Sequence, residues 1–243
     1  MDKLERFKTR VLWGAVACFV LMDVVLFHNT YFSSSGLKYP EPKIVLDVKS
    51  GADVMVYGAT AYDLLYISDG MNFVPKAVAE SVKCVIVRWG EDDITHFQDK
   101  VRPDGLVVVG HCHDKSGFRG IICLYGPKYD AADVVHESAH AYDLVVNKGA
   151  EWRGIAGDVY GYERYEDEWD FPRDGLLTHY SAKNLEEDIA EWVEAVYDHR
   201  VKNYNSFRGV NQRDKRYIRK LEYLRKYGFI GQDDYNAIAP LLK

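Results

Sequence analysis

The stretch DAADVVHESAHAYDLVVN, Asp130 to Asn147, decides how the rest of this sequence is read. It reads as a helix, ended by Lys148-Gly149. Val134, Val135, Ala139, Val145 and Val146 predict that much of it is buried. A buried helix does not hold unpaired polar groups without cause. This one carries His136, Glu137 and His140 in its middle, spaced as HExxH.

That spacing has a mechanical meaning. Residues i and i+4 share a helix face, so both imidazoles reach one metal ion. Zinc is the ion the motif implies, because it lowers the pKa of a water it holds to about 7. Glu137 stands beside the pair, where it can take that water's proton. Two exposed histidines and a solvated glutamate are the bland alternative, and the apolar flanks argue against it.

A catalytic zinc takes three protein ligands and keeps one open position. The metzincin pattern needs a glycine three residues and a histidine six residues after His140. Asp143 and Val146 stand there, which excludes that class. A carboxylate is left, and the predicted helix 184–202 offers Glu186, Glu187, Asp188 and Glu191. The helical wheel does not choose among them. It sets Glu187 opposite the Leu185, Ile189 and Trp192 stripe, with Ala190, Glu191 and Glu194. A ligand there requires a helix buried on both sides. Asp143, one turn after His140, is placed either to orient a ligand imidazole or to sit at the surface.

HESAHAYD followed by YSAKNLEEDIAE, Tyr180 to Glu191, resembles the catalytic domain of anthrax lethal factor and related gluzincins. In that family a tyrosine stands seven residues before the ligand glutamate, and a second glutamate four residues after it. Tyr180, Glu187 and Glu191 match those places. The resemblance covers roughly residues 120–200. It implies zinc ligation by Glu187, transition-state stabilisation by Tyr180, and support of a ligand histidine by Glu191. It also implies that GIICLYG, just before the helix, forms the sheet edge on which an extended substrate pairs.

Outward from the motif, extended segments come first: Ile44–Tyr57, CVIVRW (84–89), GLVVVGHC (105–112) and GIICLYG (120–126). Tyr62–Val82 reads as helical, broken at Gly70 and Pro75. Helices over Asn184–Lys202 and Asp214–Tyr227 follow, after an aromatic and charged stretch, Glu151–Thr178, without clear periodicity. Strands first and helices later predict an α+β domain with a mixed sheet, zincin-like, over residues 46–243. A chain of 243 residues holds one domain of that size and little more.

The N-terminus does not belong to that domain. Val11–Phe27 is apolar but for Asp23, and Lys3, Arg6, Lys8 and Arg10 precede it. This predicts a cytoplasmic tail at 1–10, one transmembrane signal anchor at 11–30 and a linker at 31–45, with the catalytic domain outside the cytoplasm. There, a hairpin can face Cys112 to Cys123 in a disulfide. The net charge of −6 argues against a nucleic-acid partner. The basic run from His199 to Lys226 reads as a solvated helix face. These features together imply a membrane-anchored zinc metallopeptidase acting on a peptide or protein substrate. The competing expectation is an inactive zincin-fold adaptor; an intact Glu137 speaks against it.

Overall fold

A computed structural model describes residues 43–88, 110–112, 120–125, 129–165 and 171–243. The strands are β1 (Lys43–Asp47), β2 (Asp53–Tyr57), β3 (Cys84–Arg88), β4 (Gly110–Cys112) and β5 (Ile121–Tyr125). They make one mixed sheet in the order β1-β2-β3-β5-β4. β1–β2 and β4–β5 are antiparallel, and β2–β3 and β3–β5 are parallel. Alternation sets the faces. Val54, Val56, Val85, Val87, Ile122 and Leu124 turn into a common apolar core.

Between β2 and β3 run α1 (Ala61–Phe73) and α2 (Lys76–Ser81). Thr60 and Asp63 form a capping box on α1. Pro75 separates the two helices, as expected, but Gly70 does not break α1. It is the point of closest approach to the motif helix. A Cβ there would lie 2.7 Å from the Ala131 carbonyl oxygen and 2.9 Å from Val134 Cβ.

The motif helix α3 spans Ala131–Val146. Asp130 Oδ1 accepts from Ala132 N–H, and Asp133 Oδ2 accepts from Asp130 N–H at 2.7 Å, so both ends of a capping box are filled. Asn147, left-handed at φ 49°, ends the helix. α4 (Gly149–Ala156) follows at once, inside the region expected to be irregular, and buries Trp152 completely. The remaining helices are α5 (Leu185–Arg200), α6 (Lys215–Lys226) and α7 (Gln232–Ile238). α3 packs on α1 and β4–β5 with one side and on α5 with another.

Two expectations are corrected by the sheet register. β5 is internal, flanked by β3 and β4, so among the described residues the edge near α3 is β4 and not GIICLYG. Opposite Cys123 stands His111, and opposite Cys112 stands Ile122. The two cysteines therefore lie on opposite faces of the sheet, and both are free thiols.

β1 begins at Lys43, inside the stretch read as linker, and the described residues belong to a unit spanning Glu41–Lys243. The expected anchor at 11–30 lies outside the described residues. Among the described residues no helix is long and apolar enough to cross a membrane.

Candidate metal centre

α5 is the sandwiched helix that a ligand at Glu187 requires. Leu185, Ile189, Trp192, Val193 and Val196 enter the core, while Glu187 and Ala190 are also buried, on the side that meets α3. Asn184 caps it, its Oδ1 accepting from Glu187 N–H at 2.8 Å. The cap fixes the first turn, and with it the backbone of Glu187.

Three donor atoms meet there. His136 Nε2 and His140 Nε2 are 3.1 Å apart, and Glu187 Oε2 is 3.1 Å from the first and 3.2 Å from the second. Ligands on a tetrahedral zinc, bonded at about 2.0–2.1 Å, stand about 3.3 Å from one another. The donor triangle therefore fits that ion with little adjustment, and two nitrogens with one carboxylate oxygen are a set zinc favours. Without a divalent ion, the protons of the imidazoles hold the carboxylate. Burial alone would lower the His136 pKa, but Glu187 and Glu194 on its two nitrogens keep it well above its ordinary value. Burial alone would raise Glu187, and the same imidazole bonds hold it far below the usual carboxylate range.

Glu137 lies one residue on from His136, 7% exposed, with Oε2 buried and without a hydrogen-bond partner. Burial pushes its pKa up, against the pull of His140 and His136. The edge strand makes room for it: a Cβ on Gly110 would come within 3.1 Å of both Glu137 Cγ and Oε1. A buried carboxyl left unpaired beside a metal-fitting triangle is poised for proton transfer.

No family model, no curated protein and no solved structure matches this chain. What the site does must be read from its own atoms.

Tyr180 stands where the resemblance places it. Its phenol donates to Glu187 Oε1 at 3.0 Å, and its ring lies 6.2 Å from that of His136. Lys183, unnoticed in the sequence, donates to the Tyr180 oxygen at 2.9 Å and also to Glu187 Oε1. Glu187 thus turns one oxygen to the histidines and the other to Tyr180 and Lys183. Glu191 is 3.6 Å from His136 Nδ1 and accepts from Thr178 Oγ1. The closer partner of His136 Nδ1 is Glu194, at 2.9 Å, which sequence reasoning left unassigned. Asp143 forms no hydrogen bond to His140 among the described residues, and its Oδ1 is buried without a partner.

Proposed function

We propose that the chain is a zinc-dependent peptidase of the gluzincin type. One observation carries this reading: His136 Nε2, His140 Nε2 and Glu187 Oε2 close a triangle of 3.1–3.2 Å sides directly beside the buried, unpaired carboxyl of Glu137. When bound, zinc supplies an acidified water and polarises the scissile carbonyl. His136, His140 and Glu187 hold the ion. Glu194, and Glu191 behind it, orient the His136 ring through Nδ1. Glu137 removes the proton of the attacking water and passes it to the leaving amine. Tyr180 O–H turns from Glu187 to the developing oxyanion. The free edge of β4 offers main-chain groups on which an extended peptide pairs, which favours a peptide substrate. The apolar run Val11–Phe27 behind four cationic residues supports a single-pass anchor that holds the catalytic domain outside the cytoplasm.

The test is metal content and cleavage on the full chain in detergent. One zinc per chain is expected, with cleavage of a mixed peptide library that ceases in Glu137→Gln while zinc stays bound. No zinc after reconstitution overturns the reading. Zinc with no cleavage, and a Glu137→Gln variant that still restores a deletion phenotype, would put the adaptor reading ahead.

A further inference from the structure

Next to Glu187 in sequence, Asp188 is fully buried and faces a different set of partners. Three donors from three segments converge on its Oδ2: Lys220 Nζ of α6 at 2.5 Å, Trp152 Nε1 of α4 at 2.8 Å, and the hydroxyl of Tyr160 at 2.9 Å. Lys220 is equally inaccessible and also donates to the Gly175 carbonyl at 2.9 Å. Its ammonium lies 5.1 Å from the centre of the Trp152 ring. Asp188 Oδ1, by contrast, is buried with no partner.

Stability alone does not account for this arrangement. A buried ion pair is often matched or bettered by apolar residues of equal volume, and an orphaned oxygen adds a desolvation penalty. What the pair has and an apolar pair lacks is direction. We propose that the Asp188–Lys220 pair, with Trp152 and Tyr160, sets the rotation of α5 about its axis and so positions Glu187 Oε2 on His136 and His140. The inference rests on the zinc-site reading above. Its geometry is simple. A side-chain oxygen about 6 Å from a helix axis moves about 1 Å for about 10° of rotation. A zinc bond tolerates about 0.2 Å. Capping by Asn184 fixes where the helix starts; three donors gathered on one oxygen from the far side fix how it is turned. Asp188 and Lys220 touch neither metal nor substrate and act through Glu187.

The deciding experiment uses the full chain carrying both Asp188→Asn and Lys220→Met, which removes both charges and leaves an acceptor for Trp152 and Tyr160. Zinc affinity is read by chelator competition, ligand geometry by the visible spectrum of the cobalt-substituted protein, and folding by thermal melting. The expected result is a cooperative melt with zinc affinity lower by about 10–100-fold and a changed cobalt spectrum. Affinity within about 3-fold of wild type and an unmoved spectrum would make the pair merely structural and overturn the proposal. If the double variant does not fold, Tyr160→Phe removes one donor from Oδ2 at a half-buried position. It is expected to weaken zinc several-fold with its melt retained, and an unchanged affinity there overturns the proposal equally. A wild-type chain that takes up no zinc sinks the site reading itself, and this inference with it; zinc in wild type with unmoved variants sinks the positioning role alone.

Discussion

On the side of α5 that meets α3, Glu187 is held by two imidazoles, and its neighbours stay partly open: the side chains of His140 and Glu194 are 18% and 29% exposed. On the side that meets α4 and α6, Asp188 is held by a lysine with both side chains at 0%. One helix turn thus buries two adjacent carboxylates with two kinds of counter-charge. Lys220 is permanent: it is sealed in, and burial lowers its pKa while Asp188 opposes that. The imidazole protons are exchangeable, since a divalent cation satisfies the same carboxylate through the same nitrogens. A binding site needs compensation that can leave, and a fold needs compensation that cannot.

The largest expected effect isolates chemistry from both. Glu137→Gln keeps every ligand and every α5 contact, so zinc content and melting should match wild type. Turnover should drop by about 10³-fold or more. Loss of zinc in that variant would show that Glu137 has a role in holding the site, and the separation drawn here would fail.

Next, Lys220→Met against Glu187→Gln. The first strands a buried carboxylate in the sealed half and should destabilise the fold by about 3–5 kcal/mol, read by chemical denaturation. The second removes a charge in the half whose compensation is exchangeable. Without metal it should shift stability by about 1 kcal/mol or less, yet abolish tight zinc binding. Equal destabilisation by the two would erase the contrast between the faces.

Within the open half, Glu194→Gln should lower zinc affinity by about 10–100-fold, as expected for a carboxylate that bonds a ligand imidazole. Glu191→Gln should do less, because Glu191 is 3.6 Å from His136 Nδ1 and already serves Thr178. The reverse order, measured by chelator competition, would return the orienting role to the residue that the family resemblance names.

The contrast also explains what the sequence disclosed. α3 and its limits were legible because its polar triad interrupts an otherwise apolar helix, and the strands were legible from their alternation. Glu187 needed the resemblance, since a wheel cannot tell a face buried by a second helix from a solvated one. Glu194 was on the same wheel face as Glu187 and Glu191, but a wheel gives no distances. Lys220 was hidden in a basic run, although a signal was present. It falls in the row Tyr217, Lys220, Leu221, Leu224, the buried stripe of α6. A charge in an apolar stripe asks for a buried partner. The Cys112–Cys123 pairing failed because a shift of one residue in β4–β5 register moves a side chain to the other face, and no local residue pattern fixes that register. α4 escaped because its eight residues, two of them glycine, are too few for periodicity to show.

A third buried carboxylate sharpens the comparison, because it has neither kind of counter-charge in contact. Asp143 sits at the end of α3 with Oδ1 unpaired. Burial raises its pKa to about 6, His140 pulls the other way, and Glu186 adds to the rise. In the unfolded chain the group titrates near 3.9. Between about pH 4 and 6 the folded state therefore holds a proton that the unfolded state has released, and stability falls as pH rises through that window. Its contribution is most favourable below pH 4 and is lost above pH 6, opposite in sign to Glu187, whose pKa is lowered on folding. Asp143→Asn removes the titration. In chelator-treated protein the variant should match wild type near pH 4 and exceed it by about 1–2 kcal/mol at pH 7, the full shift being discounted for partial exposure. A stability difference that does not vary between pH 4 and 7 would mean that Asp143 finds a partner in solution, and that every carboxylate buried around this site is compensated.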